Sequence, residues 1–144
     1  IAVNGRTVKG AAGPPTPKIE PLLPEKRSGP PPKGLKQVLE HGGPLAFAKA
    51  VRERRGLLLT DTTWRDAHQS LLATRVRTKD IMAIAPETAH VLHNAYSIEN
   101  WGGATFDVCL RFLKECPWER LQMMREAVPN VPFQVRHRAP FPAL

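Results

Sequence analysis

Apolar residues recur at helical spacing from residue 35 onward. Leu35, Val38 and Leu39 predict a short helix ending near Gly42 and Gly43. Pro44 then suits a first helical turn, and Leu45, Phe47, Ala48 and Val51 follow at the same spacing, with Lys49, Arg52 and Arg55 outward. Gly56 stands where a glycine closes a helix. The run Leu57-Leu58-Leu59, leading into Thr60-Asp61-Thr62-Thr63, predicts a buried strand of a parallel sheet. Ser70-Leu71-Leu72-Ala73 reads as a short helical piece. Thr78 is a candidate N-cap for a helix whose stripe is Ile81, Ile84, Ala85, Thr88, Val91 and Leu92. Pro86 should kink or split that helix.

Ala95 to Glu99 predicts a second strand, and Gly102-Gly103 a turn. Phe106, Val108, Cys109, Leu110, Phe112 and Leu113 predict a helix, and Pro117 starts another that runs to Val128. Val131 to Gln134 predicts a third strand. The order helix, β, α, β, α, α, β implies parallel βαβ units.

The first third of the chain reads differently. Residues 14–32 contain eight prolines, which exclude helix and central strand. Residues 11–33 therefore read as a Pro-rich linker, and IAVNGRTVKG before it as a strand and turn left from a preceding domain. The formal charge is +8. Residues 1–56 hold 11 basic and 4 acidic side chains, while residues 57–134 hold 8 and 9. The basicity thus lies outside the segment that patterns as folded. It marks a solvated linker and not a nucleic-acid module, which would carry its basic residues on a folded element. No apolar run approaches the roughly 20 residues of a membrane span. Ile1 at the front, with no signal-peptide pattern, predicts an internal piece of a longer protein. Cys109 and Cys116, seven apart in helix-like sequence, would lie roughly 10 Å apart on one helix face. That is beyond disulfide reach, so both read as buried thiols in a reducing compartment.

The chemistry concentrates at Asp61-Thr62-Thr63-Trp64-Arg65-Asp66-Ala67-His68-Gln69-Ser70, just past the first predicted strand. In parallel α/β folds the loops beyond strand carboxyl ends form the site. A carboxylate there can hold a divalent metal. Arginine and glutamine can hydrogen-bond an enolate or carboxylate oxygen. The same run also reads as a polar loop making turn and capping bonds, and composition leaves both open. His68 could position the loop. Glu87, His90 and His93 have the spacing of some metal sites but no second such pair, so they read as an exposed helix face. Trp101 reads as a packing residue.

The runs LLLTDTTWRDAHQSLLATRVRTKD, ENWGGATFDV, RFLKECPWERL and VPNVPFQ resemble the start of the carboxyltransferase domain of the pyruvate carboxylase family. GPLAFAKAVRERRG before them resembles the same family, and IAVNG resembles the end of its biotin carboxylase domain. A DTT-x-RD core alone would also fit oxaloacetate decarboxylase subunits, transcarboxylases and acyl-CoA lyases or synthases. The resemblance divides the chain into 1–10, the end of a biotin carboxylase domain; 11–33, linker; 34–134, the start of a carboxyltransferase barrel; and 135–144, a tail without family pattern. It implies an α/β fold, the N-terminal part of a TIM (β/α)8 barrel, incomplete, with its first strand at about Leu57 to Asp61.

The resemblance implies that Asp66 ligates a divalent metal such as Mn2+ or Zn2+. It implies that Arg65 and Gln69 are catalytic, bonding the pyruvate keto or enolate oxygen, within a substrate-binding run of Arg65, Asp66, Ala67, His68 and Gln69. It implies biotin carried elsewhere in the parent and ATP with Mg2+ in the absent biotin carboxylase domain. It further implies pyruvate and carboxybiotin as partners and a homotetramer, in cytoplasm or mitochondrial matrix, with no nucleic acid and no membrane. The family's substrate-anchoring arginine follows the third strand, but here the chain reads VRHRAPFPAL, and the role does not pass to Arg136 or Arg138. That tail reads as read-through of an unspliced intron or as another error in how the gene was read. A barrel needs roughly 250 residues, so the chain alone is expected to be inactive and incompletely folded. The alternative function is a non-catalytic short product that binds or interferes with the full-length enzyme.

Overall fold

The computed structural model describes residues 27–67 and 75–136. The first element is α1 (Leu35–Glu53), whose two halves meet at Gly43 with φ 71°, immediately before Pro44. The two short helices expected from the apolar pattern are both present, separated by the non-helical backbone of Gly43. The start of α1 is stitched to the far end of the chain. Lys36 N–H donates to the Asn130 carbonyl at 3.2 Å, and Gln37 Nε2 donates to the Pro129 carbonyl at 2.8 Å. A Cβ on Gly34 would lie 2.3 Å from the Asn130 carbonyl oxygen, so only glycine permits this approach.

The remaining elements are β1 (Thr60–Asp61), α2 (Thr63–Asp66), α3 (Thr78–Val91), β2 (Ser97–Trp101), α4 (Gly103–Asp107), α5 (Pro117–Ala127) and β3 (Phe133–Val135). The three strands are parallel and ordered β1-β2-β3. Thr60 stands opposite Ser97, and Ile98 opposite Phe133. The pairing of β2 with β3 slips between Glu99 and Trp101, leaving Asn100 as the extra residue of a bulge.

Both crossover helices lie on one face of the sheet. Ile81, Ala85 and Ala89 of α3 and Met124 of α5 form one buried cluster with Trp64, Ile98, Val128 and Val131. Helices on a single face of a parallel sheet, in strand order 1-2-3, are the pattern of a barrel wall rather than of a doubly wound sheet. Because side chains alternate along a strand, Ser97 and Glu99 face away from these helices. On that inner face Thr60 Oγ1 and Ser97 Oγ lie 3.0 Å apart, and Ser97 Oγ–H donates to Gln134 Oε1 at 2.9 Å. Ser97 has one hydroxyl proton, so Thr60 must be the donor in the first bond.

Several expectations are corrected. The first strand is only Thr60–Asp61. Leu57 and Leu59 are exposed by 83% and 59%, not buried, because β1 is an edge strand with a partner on one side. The helix α3 begins at Thr78, with Arg77 in the cap position, and runs through Pro86 without a break. His90 on α3 is buried, and Glu87 accepts a hydrogen bond from the Arg27 backbone N–H, so this face is covered by the segment before α1. The helix after α4 continues as π-helix over Val108–Leu113 and stops at Lys114, a non-glycine residue at φ 57°. That stop separates Cys109, which is buried, from Cys116, which is exposed. Burial pushes the Cys109 thiol up from its ordinary value. Val135, expected in the tail, extends β3 opposite Trp101. The helical piece expected at Ser70 to Ala73 lies outside the described residues, as does most of the tail.

Among the described residues no helix is long and apolar enough to cross a membrane.

Candidate active site

The carboxyl end of β1 runs directly into α2. Asp61 turns the chain there: its Oδ1 accepts from Thr63 Oγ1 at 2.6 Å and from Thr63 N–H at 3.3 Å. Part of the polar run thus does make the turn bonds that its composition allowed. Trp64 goes into the core, edge-on to Phe133 at 6.2 Å between ring centroids. Anchoring Trp64 on the helix side leaves Arg65 and Asp66 at the strand ends.

Arg65 is held between two carboxylates. Its Nη1 donates to Asp66 Oδ1, its own neighbour. Its Nε and Nη2 each lie 2.8 Å from Glu99 Oε2, 34 residues away in the middle of β2. The side chains of Arg65, Asp66 and Glu99 are 11%, 15% and 6% exposed, so the cluster is largely taken out of water while a part of Asp66 stays accessible. Ion pairs in such surroundings are less screened than on an open surface. Gly102, just past β2, lies against the arginine stem: a Cβ there would be 3.2 Å from Arg65 Cδ and 3.4 Å from Cγ. The backbone at Gly102 is ordinary extended chain, so glycine is required by the close approach and not by conformation.

Of the residues expected in the site, the structure brings Arg65 and Asp66 together at the strand ends. Ala67 is buried behind them. His68 and Gln69 lie outside the described residues. Glu99 was missed by the sequence reading. Its signal was available, since a buried glutamate in the middle of the strand Ser97–Trp101 is out of place unless it is paired. Trp101 packs as expected, stacked on Trp118 at 5.0 Å and near Phe106 at 6.1 Å.

Asp66 can supply one oxygen ligand to a hard divalent cation. Among the described residues no three His, Cys, Asp or Glu side chains are grouped to hold a metal. The described part therefore does not make a metal centre by itself, and no chemical step is derived through one.

A second buried arginine lies outward from the site. Arg120, 1% exposed, donates from Nε to Thr78 Oγ1 at 2.8 Å and from Nη2 to the Val76 carbonyl at 2.6 Å and Glu115 Oε2 at 3.1 Å. Glu115 in turn accepts from the Thr78 N–H at 3.0 Å and the Thr78 hydroxyl at 2.6 Å. This carboxylate satisfies the open N-terminus of α3 from 37 residues away. Burial alone would raise the Glu115 carboxyl, but the hydrogen bonds from Thr78 and Arg120 outweigh it and hold it below its ordinary value.

Parallel strands in sequence order, helices on one face and a charged cluster beside the strands define a segment of a (β/α)-barrel wall with the start of a site. The comparisons with known proteins agree. The chain is 59% identical, over 94% of its length, to pyruvate carboxylase of Aspergillus terreus, and 57% identical to the mitochondrial pyruvate carboxylase of Rattus norvegicus. Its structure superposes on the carboxyl transferase domain of Rhizobium etli pyruvate carboxylase, solved with oxamate and biotin. The TM-score is 0.72 at 50% identity, covering 82% of this chain and 20% of that one. A structure of the Rhizobium etli enzyme with the allosteric activator acetyl coenzyme-A also gives a TM-score of 0.72, covering 80% of this chain and 10% of that one. No protein-family model matches.

The chain is homologous to pyruvate carboxylase, over its carboxyltransferase region. It spans 12% of the length of the curated relatives it matches.

Proposed function

We propose that this chain supplies the first strands of the carboxyltransferase barrel of a pyruvate carboxylase. In the reaction, the N–CO2 bond of carboxybiotin breaks and a C–C bond forms at the pyruvate methyl carbon. The methyl proton ends on the biotin nitrogen, and the products are biotin and oxaloacetate. Negative charge develops on the pyruvate keto oxygen as the methyl carbon gives up its proton. Donors held in place before that charge appears are what lower such a barrier. Arg65 is the donor assigned to that oxygen, with Gln69 as the second. Asp66 is assigned as one ligand of a divalent cation, which would add positive charge at the same oxygen. Ala67 and His68 complete the substrate-binding run.

The observation that carries this reading is the Arg65 guanidinium fixed between Asp66, on the helix that follows β1, and Glu99 of the adjacent parallel strand β2. One guanidinium faces two carboxylates, a surplus of negative charge that suits an approaching cation. On the same reading the complete protein is a homotetramer that uses biotin, ATP and Mg2+. It acts in cytoplasm or mitochondrial matrix, the curated relatives including enzymes named mitochondrial.

The test grafts residues 27–134 into full-length Rhizobium etli pyruvate carboxylase in place of the matching segment. The expected result is oxaloacetate formation from pyruvate, bicarbonate and ATP. A graft that folds with the thermal transition of its parent but forms no oxaloacetate overturns the reading. The 144-residue chain alone is expected to form none.

A further inference from the structure

We propose that Glu99 is a positioning residue for Arg65 in the carboxyl transfer, a role that rests on the reading of the site above. The starting point is the cost of placing Glu99 where it is. Its side chain is 6% exposed on a strand of the sheet, and a buried carboxylate is costly unless its partner is well placed. Its partner is Arg65, whose Nε donates to Glu99 Oε2 at 2.8 Å and whose Nη2 lies 2.8 Å from the same oxygen. Two nitrogens on one edge of a rigid planar group come equally close to a single oxygen only in a narrow range of orientations, so the pair sets the guanidinium plane.

The local chain around Arg65 could not do this. α2 is a helix of four residues, Thr63–Asp66, and an arginine on it has several rotatable bonds to its head. Asp66, the other carboxylate, is on the same short helix and moves with it. Among the described residues β2 offers an independent reference. It does so twice, through Glu99 and through Gly102, whose backbone leaves just enough room for the arginine stem. The bulge at Asn100 lies between those two residues, where a bulge re-aims what flanks it. The negative charge of Glu99 weakens the field of Arg65 at a substrate oxygen, so the benefit lies in placement and not in charge. That separates two substitutions: the amide of Glu99→Gln retains an oxygen acceptor, and Glu99→Ala does not.

The experiment uses the grafted full-length enzyme. For Glu99→Ala the expected kcat for oxaloacetate formation falls about 100-fold, the scale of a misplacement of about 1 Å. KM for pyruvate should change less than about threefold, because the lost interaction acts mainly in the transition state. Glu99→Gln should stay within about tenfold of the parent. Crystals grown with oxamate should show the Arg65 head displaced in Glu99→Ala and in place in Glu99→Gln. An unchanged kcat or an unmoved Arg65 in Glu99→Ala overturns the proposal. So does a Glu99→Gln as slow as Glu99→Ala, which would mean that charge matters, or a loss of kcat that tracks a lowered Tm. If the graft itself forms no oxaloacetate, the reading of the site fails. The position of Arg65 in the two crystal structures then still decides whether Glu99 holds it.

Discussion

Two arginines of this chain are buried in carboxylate company, and they are built differently. Arg120 is 1% exposed and, among the described residues, meets the Glu115 carboxylate before α5 together with the Thr78 hydroxyl and the Val76 carbonyl at the start of α3. Charge is balanced and the acceptors point inward, which is what a brace between α3 and α5 requires. Arg65 is 11% exposed and meets two carboxylates. A purely structural site gains nothing from a second buried negative charge, because each desolvated ion costs several kcal/mol unless its pairing is excellent. The surplus at Arg65 makes sense if something positive, or something competing for the guanidinium, arrives there. The difference separates an arginine that holds the fold from one the fold holds.

The largest effect should come from the brace. Arg120→Met, made in the carboxyltransferase domain carrying residues 27–134, removes the buried counter-charge of Glu115 and should cost about 3–5 kcal/mol by urea denaturation. The double variant with Glu115→Leu should regain a large part, since an apolar pair of similar volume is often neutral or better. A cost under about 1 kcal/mol for Arg120→Met would place Arg120 with ordinary surface pairs and remove the contrast.

Next is Arg65→Ala in the full-length graft, which should lower kcat about 100- to 1,000-fold, the range for removing one oxyanion donor. Its effect on the thermal transition should be smaller than that of Arg120→Met. If Arg65→Ala instead unfolds the enzyme and Arg120→Met inactivates it without unfolding, the two roles are exchanged.

The parallel sense and the number of strands were legible from alternating apolar runs and the glycines between them, and the order along the sheet from the barrel that the resemblance implies. Which residues of a run would pair was less legible. Leu57-Leu58-Leu59 looked buried because short apolar strands usually have neighbours on both sides, and among the described residues β1 has β2 alone. Arg65 and Asp66 stood out because they follow a strand. Glu99 did not, because its partner is 34 residues away and only the parallel register brings them together. The Glu115 cap of Thr78 was hidden for the same reason: Thr78 was read as a local N-cap, and its acceptor comes from a different helix start. Local rules predict local capping, whereas non-local pairs need the fold first.

The third prediction concerns pH. The Glu115 carboxyl is held below its unfolded value of about 4.5. A carboxyl depressed by folding stabilises the fold above its unfolded value and loses that contribution as pH falls through the folded value. Stability of the grafted domain should therefore drop below about pH 4.5, in part through Glu115. In Glu115→Gln the acid side of the stability profile should be shallower, and the variant should be less stable than its parent at pH 7. A Glu115→Gln profile parallel to the parent's down to pH 3 would separate the brace from acid sensitivity.

The smallest effects should distinguish two buried asparagines that repeat the contrast between the arginines. Asn130 Nδ2 donates to the Pro32 carbonyl at 2.7 Å and the Ala89 carbonyl at 2.8 Å, tying the segment before α1 to the end of α3. Asn100 is equally buried, but among the described residues neither its Nδ2 nor its Oδ1 has a partner, whereas at Asn130 only the Oδ1 lacks one. Removing the Asn130 amide leaves the two carbonyls it bonds unpaired at about 1–3 kcal/mol, so Asn130→Ala should destabilise the grafted domain by that amount. Removing an unsatisfied one strands no partner, and Asn100→Leu, similar in volume, should shift stability by less than about 1 kcal/mol in either direction. A large loss for Asn100→Leu would mean that its amide is engaged once the barrel is complete. The bulge between Glu99 and Trp101 would then be a fixed point of the site and not a defect in the pairing.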